Sequence, residues 1–341
     1  MLIPLFLLSL FTSSVLSDSE CPNVPGLPGD RRKDKSKMRI VQYNVEWLFI
    51  DYNSEANCPG YGCTWVNQSE AEIHMDYVAN VIKVLEPDFI NFCEVEGCDE
   101  LNILKSKLDD SYMPYLKKGT DSATGQNVGF LSRIDPVISV YRTEARYNYP
   151  IPGSKCGYTG ATTSTGVSKH YITEFEFGGM QVAVIAAHLI AIPTDSSRCA
   201  QREGQAAILQ ELIMGYVNED YEVIMMGDFN DYDAEVMDIN NDKPKSQVLD
   251  ILKGITGDYV GKYELYSVAE NISQDQRYSD WYNSDNNCNT DSLRDFSMID
   301  HILVTDVLRK NIFNVFIYHG YDEYCGKYES DHFPIIIDLQ F

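Results

Sequence analysis

No Cys-x-x-Cys pair occurs in the chain, and no cysteine stands with histidines at zinc-ligand spacing, which argues against a zinc finger or ribbon. Basic side chains are few: 27 Lys and Arg face 51 Asp and Glu, and the net charge is −24. Non-specific grip on phosphates draws on Lys and Arg that release counterions, so this balance argues against a protein that holds nucleic acid by a basic surface. A polyanionic partner then needs positive charge from elsewhere, and a divalent metal, which cancels carboxylate charge locally, is the candidate. Beyond the first residues the chain lacks the run of roughly 18 apolar residues that a membrane span requires. It also lacks internal repeats and, after residue 38, any long Pro/Gly/Ser linker. One domain of about 300 residues is expected, and with 44% hydrophobic residues it can bury a large core without metal or disulfide staples.

The chain begins with residues 1–17, which carry no charge, are apolar from Leu2 to Phe11 and end in Val15-Leu16-Ser17. This pattern predicts a signal peptide and secretion, because the run is too short and too broken, at Pro4 and Ser9, for an anchor. Residues 18–37 form a Pro/Gly-rich, then basic leader, with six basic residues and one acid between Arg31 and Arg39, and read as a solvated linker. The nine cysteines all follow residue 17, and in an exported chain they are expected to form disulfides with one thiol left over. Asn67 and Asn271 open glycosylation sequons.

From Met38 on, short β-branched runs alternate with helical patterns. Ser69-Glu70-Ala71-Glu72 is a capping box, followed by Ile73, Tyr77, Val81 and Leu85 at helical spacing. Leu101, Leu104 and Leu108 mark a second helix, and Ala206, Leu209, Ile213 and Tyr216 a third that starts at Asp195-Ser196-Ser197. Strands are expected at 39–45, 88–95, 137–141, 171–177, 182–188, 222–227, 299–305, 313–318 and 334–339.

Several of these apolar runs end in acids, amides or histidines, which would be costly if simply buried. They are Asn44 and Glu46 after Ile40-Val41-Gln42-Tyr43, Glu94 after Asp88-Phe89-Ile90-Asn91-Phe92-Cys93, and His188 after Val182-Ala183-Val184-Ile185-Ala186-Ala187. Asp228 and Asn230 lie in Gly227-Asp228-Phe229-Asn230, Asp300 in Ile299-Asp300-His301, and Asp331 and His332 in Ser330-Asp331-His332-Phe333-Pro334. Carboxylates and amides without thiolate are hard ligands that suit Mg²⁺, Mn²⁺ or Ca²⁺. A metal held by few carboxylates, beside groups that activate water and stabilise charge, is what attack on a phosphate ester requires.

The order Asn-Val-Glu, Cys-Glu-Val, His-Leu, Gly-Asp-Phe-Asn, Ile-Asp, Ser-Asp-His resembles the endonuclease/exonuclease/phosphatase superfamily, and in particular its secreted, deoxyribonuclease I-like members, over residues 39–339. Asn127-Val128-Gly129-Phe130-Leu131-Ser132-Arg133 looks like the family's central strand. The resemblance implies an α/β fold, a two-sheet, four-layer α/β sandwich with the site at one edge of the sheets. It implies Glu94 as the principal metal ligand, with Glu46 and Asp331, and Mg²⁺ as the metal, Mn²⁺ and structural Ca²⁺ being alternatives. Asn44 and Asn230 would orient phosphate or water, and Asp300 would pair with His332. Either His332 or Asp228 would be the base, and His188 would donate to a phosphoryl oxygen or protonate the leaving group. Abasic-site enzymes typically lack a histidine at the position of His188, and inositol polyphosphate 5-phosphatases carry Trp where Met226 stands here. Lys169, Arg198 and Arg202 are possible substrate contacts.

The reading that follows is a secreted, metal-dependent phosphodiester hydrolase acting on nucleic acid, DNA before RNA, with no obligate protein partner. The alternative is a sphingomyelinase-like enzyme that reaches phospholipid through Tyr147, Tyr149, Tyr158 and Trp281-Tyr282. A third reading, a binding protein that lost turnover, fits poorly with a full motif set.

Overall fold

Val182-Ala183-Val184-Ile185-Ala186-Ala187 offers water nothing on either side, and a strand of that kind is stable only when both faces are covered. In a computed structural model, which describes residues 20–21, 24–50, 65, 67–283, 292–321 and 330–341, two sheets meet this demand. Residues 1–17, and with them the signal-peptide reading, lie outside the described residues, as do Cys58, Cys63, Cys288 and Cys325.

The strands are β1 (Lys37–Leu48), β2 (Phe89–Val95), β3 (Met113–Leu116), β4 (Asn127–Ser132), β5 (Tyr147–Tyr149), β6 (Thr163–Thr165), β7 (Lys169–Phe177) and β8 (Met180–His188). They continue with β9 (Glu222–Asp228), β10 (Tyr266–Ser267), β11 (Asp280–Trp281), β12 (Phe296–Ser297), β13 (Asp300–Val304), β14 (Ile312–Ile317) and β15 (Ile335–Gln340). The α-helices are α1 (Gln68–Leu85), α2 (Cys98–Ser106), α3 (Ser196–Asn218), α4 (Val248–Leu252) and α5 (Asp306–Asn311). One sheet runs β14-β15-β1-β2-β4-β3 and the other β10-β13-β9-β8-β7.

Side chains alternate between the faces of each strand. Ile40, Phe89, Val184, Ala186, Met226, Ile302 and Ile337 share the core between the sheets. Val41, Tyr43, Ile90 and Phe92 face outward under Met75, Val78 and Ile82 of α1. Ala183, Ile185, Val223 and Met225 lie under Ala206, Leu209 and Ile213 of α3. Helix, sheet, sheet, helix is the four-layer α/β sandwich.

Several local expectations are corrected. The α1 cap is Asn67, whose side chain accepts from the Glu70 amide at 3.0 Å, two residues before the expected Ser69, because the asparagine oxygen reaches the free amide first in the chain. Its buried face carries His74, Met75, Val78 and Ile82, so Ile73 and Tyr77 remain 39% and 38% exposed. Residues 137–141 form no strand; Tyr141 makes a single bridge to Ile172, because the segment meets β7 only at its ends, at Val137–Glu174 and Tyr141–Ile172, four positions against two, which is out of step with a ladder. Nor are the described leader residues a solvated linker. Cys21 is bonded to Cys98, Arg31 clasps Asp135, and the buried Arg32 guanidinium donates to the Lys37 carbonyl at 2.7 Å.

Candidate active site

The alternation that builds the core also builds the site. Counting outward by two from Ile40 gives Gln42 and Asn44; from Ala186, His188; from Met226, Asp228; and backward from Ile302, Asp300. All belong to the inter-sheet face, at the end where the apolar core stops. Parallel pairing sets His188 against Asp228 across β8 and β9, and antiparallel pairing sets Asp300 against Asp228 across β13 and β9. Gly227 is required beside them, because at its φ of 145° a Cβ would lie 1.8 Å from the Ala187 carbonyl oxygen.

Glu94 and Glu46 arrive differently. Alternation from Cys93 would send Glu94 to the outer face, but the ladder slips between Cys93 and Val95 and between Asn44 and Leu48. Glu46 and Glu94 hold left-handed φ values of 46° and 69° at these slips, and Asn230 one of 52°. Such backbones cost about 1 kcal/mol or more each and persist where surrounding structure enforces them. Here Trp47 N–H donates to Glu94 at 3.2 Å and Glu46 N–H to the Asn44 side chain at 3.1 Å.

One hydrogen-bonded chain runs through the core to His332. Tyr171 donates to Asn91 at 2.8 Å, Asn91 to Gln42 at 2.6 Å, and Gln42 to Asp300 at 3.1 Å. Asp300 also accepts from Ser279 at 3.0 Å and lies 2.6 Å from Nδ1 of His332. The other ring nitrogen, Nε2, faces Asn44 at 3.4 Å, Asp280 at 3.6 Å and Asp331 at 3.8 Å. Asn44 Nδ2 donates to Asp228 at 3.0 Å and to Glu94 at 3.3 Å. His188 Nε2 completes the circle, 3.5 Å from Asp228 and 4.0 Å from Glu94, while its buried Nδ1 meets no hydrogen-bond partner among the described residues. Glu46 accepts from the Asp331 amide at 3.1 Å, and the Asn230 amide donates to Asp228 at 2.9 Å.

Acids so crowded hold protons unless a cation joins them. Burial pushes the Asp228 carboxyl up, and the Asp300 charge adds to it; burial raises Asp280 to about 6; partial burial and then Glu46 raise Asp331. Burial works against a charged His332, but Asp300, Asp331 and Asp280 together carry it well above the ordinary histidine value. Burial, with the charges of Lys169 and His332, keeps His188 neutral. Carboxylates of Asp228 and Asp300 with His332, and of Asp280 and Asp331 with His332, group within 4.8 Å. An oxygen-rich cluster of this kind fits a hard divalent cation; of the three expected ligands Asp331 belongs to it, whereas Glu94 and Glu46 stand outside both groups.

All of Asn44, Glu46, Glu94, His188, Asp228, Asn230, Asp300, Asp331 and His332 therefore come together. Lys169 and Arg198 do not reach this centre but line the cleft that opens from Glu94 and His188. Arg202 is not a substrate contact. It is fully buried in an ion pair with Asp231 at 3.2 Å and donates to the carbonyls of Ile190, Ile192 and Pro193, so it fixes the loops that follow His188 and Asn230. Sequence reasoning missed Gln42, Ser279 and Asp280. Gln42 carries a legible signal, a polar residue two before Asn44 on the same face; Asp280 sits in a two-residue strand with no periodicity to read.

A model described as the Endonuclease/Exonuclease/phosphatase family matches residues 41–332. No curated protein matches the chain. Among solved structures, a 3′-5′ exonuclease from Neisseria meningitidis superposes with a TM-score of 0.55 at 15% identity, over 89% of this chain and 100% of that one. TDP2 of D. rerio, complexed with a single-strand DNA product, gives 0.52 at 17% identity over 90% and 100%. A mannosyl-6-phosphatase from Bacteroides thetaiotaomicron gives 0.51 at 17% over 89% and 100%. At these identities the likeness carries the fold alone.

Proposed function

The chain belongs to the endonuclease/exonuclease/phosphatase family, whose members hydrolyse phosphodiesters or phosphate esters with a divalent metal, and we propose that it is a Mg²⁺-dependent nuclease acting on DNA. The observation that carries this reading is the pair of histidine Nε2 atoms, of His188 and His332, turned onto one Asn44–Asp228 centre beside the Glu94, Glu46 and Asp331 carboxylates. Phosphate esters need charge neutralisation and a positioned water, and this centre offers groups for both.

Glu94, Glu46 and Asp331 would hold the metal, which when bound supplies Lewis-acid neutralisation of the phosphoryl oxygens. Asp300 accepts the Nδ1–H of His332 and turns Nε2 toward Asn44, Asp280 and Asp331. The Asn44 amide faces both Asp228 and Nε2 of His332; because the surrounding acids keep His332 charged, the proton of the attacking water would pass to Asp228. His188, held neutral by burial, donates its Nε2–H to a phosphoryl oxygen. Asn230, fixed by its amide bond to Asp228 and its side-chain bond to the Leu189 carbonyl at 3.2 Å, keeps the Gly-Asp-Phe-Asn loop closed beneath the phosphate.

Secretion belongs to the same proposal. It is supported by the Cys21–Cys98 and Cys156–Cys199 disulfides, which persist in oxidising compartments, and it makes Asn67 and Asn271 candidate glycosylation sites. The phospholipid reading gains no comparable support. Of its aromatic set, Trp281 is 4% exposed and Tyr282 72% exposed, and Tyr149 and Tyr158 pack on the Cys156–Cys199 disulfide.

The test is nicking of supercoiled plasmid by the purified protein with Mg²⁺, with and without EDTA, and with His188→Ala. Nicking that disappears with chelator and in the variant is expected. Intact plasmid with both Mg²⁺ and Mn²⁺ overturns the nuclease reading and turns the assay to sphingomyelin.

A further inference from the structure

A cleft of about 530 Å³ leads away from Glu94 and His188, and its lining departs from the character of the chain. In a protein with nearly twice as many acids as bases, Lys169, Arg146 and Arg198 line this one cleft. Among the described residues none of the three stands in an ion pair. The Lys169 ammonium donates to the neutral Gln126 amide at 3.1 Å. The Arg146 guanidinium donates to the Ser164 hydroxyl at 3.0 Å and carbonyl at 2.7 Å. Asp121, an acid on the same lining, is turned onto the Ala123 amide and the Thr124 hydroxyl. Outside the cleft Arg31 is matched with Asp135, Arg39 with Asp338, Arg202 with Asp231 and Arg309 with Glu270, while Arg142 and Arg277 donate to backbone carbonyls.

The two arginines are also held in place from opposite sides. Arg146 immediately precedes β5, whose partner β6 supplies Ser164. Arg198 lies in the first turn of α3, next to Cys199, and the Cys156–Cys199 disulfide ties that turn to the segment between β5 and β6. Unpaired cations on anchored elements, opening onto a phosphate-ester site, form a receptor for a second anion.

We propose that this arm of the cleft is a subsite for a second phosphate of the substrate, next to the phosphodiester that is cleaved, held by Arg146, Arg198 and Lys169. It rests on the nuclease reading for the identity of the first phosphate. It makes the enzyme selective for a polyphosphorylated chain over a lone phosphodiester, and it places local positive charge where an acidic protein otherwise repels a polyanion.

Binding and turnover test it separately. In EDTA, thymidine 5′-monophosphate is expected to bind the full-length protein and thymidine is not. Arg146→Gln with Arg198→Gln weakens that binding by about tenfold or more, the worth of charge-assisted hydrogen bonds. Arg309→Gln with Lys310→Gln, a pair of the same charge outside the cleft, leaves it unchanged. In Mg²⁺, the ratio of kcat/KM for pTpTp over TpT is expected to exceed one and to fall toward one in the Arg146/Arg198 variant. Equal binding of the monophosphate by wild type and variant, or equal weakening by the control pair, overturns the subsite. Arginine-dependent binding with neither dinucleotide cleaved leaves the subsite standing and overturns the hydrolytic reading. Cleavage of both dinucleotides with an unchanged ratio overturns the subsite alone.

Discussion

Nδ1 of His332 lies 2.6 Å from a carboxylate oxygen of Asp300, a residue 32 positions away at the start of β13. The bond sets the tautomer and the ring plane, and Asp300 is itself braced by Gln42 and Ser279. Asp300→Asn keeps the shape but presents an amide that can offer N–H to Nδ1, favouring the wrong tautomer. Plasmid hydrolysis is expected to fall by roughly 100-fold or more, with an unchanged melting temperature within about 2 °C. Activity within about threefold of wild type would remove His332 from the chemistry.

Asp228 is placed for function at the expense of stability. Its carboxyl is buried and pushed up by burial and by Asp300, so ionising it in the folded chain is unfavourable. Its contribution to stability is complete where both states are protonated and declines as pH rises through the unfolded value, about 4 for Asp. Asp228→Asn at pH 8 in EDTA is therefore expected to melt higher than wild type, by roughly 2–4 °C, and to hydrolyse plasmid at least about 100-fold more slowly in Mg²⁺. A lower melting point would show that the carboxylate is a net stabiliser.

His170 gives the opposite pH dependence. Burial and then the Arg142 charge lower it to about 3, and its Nε2 accepts the Thr143 amide at 2.9 Å. The unfolded chain takes the proton first, so the contribution is intact above about 6.5 and is lost below it at up to about 1.4 kcal/mol per pH unit. His170→Gln, whose side-chain oxygen can still accept, is expected to flatten the urea-unfolding free energy between pH 6.5 and 4. Parallel curves for the two proteins would show that His170 is protonated in the fold.

The Cys156–Cys199 disulfide closes a loop of 43 residues beside the cationic cleft. Replacing both cysteines with serine is expected to cost about 3–4 kcal/mol in urea unfolding. It is also expected to raise KM for plasmid more than it lowers kcat, because the elements carrying Arg146 and Arg198 lose their tie. A fall in kcat at constant KM would mean that the disulfide supports the catalytic centre instead.

Most site residues were legible because strand periodicity is local. Asn44, His188, Asp228 and Asp300 each stand an even number of positions from a core residue on their own strands, and no knowledge of the partner strand is needed to place them on the inner face. The ends of α3 were legible for the same reason, through Asp195 and the 206, 209, 213, 216 face. The leader was misread because Arg31 and Arg32 look solvated until Asp135, 104 residues after Arg31, and the Lys37 carbonyl are brought to them.

The sequence by itself determined which residue types close the strands, in what order, and that hard-oxygen chemistry on a phosphate ester follows from them. Only the tertiary structure decided what they face. It turned Glu94 inward against alternation, set Asp280 beside His332, buried Arg202 and collected Arg146, Lys169 and Arg198 into one cleft. Each of these depends on contacts between segments far apart in the chain. Such contacts are selected by packing of the whole sandwich rather than by local backbone preference.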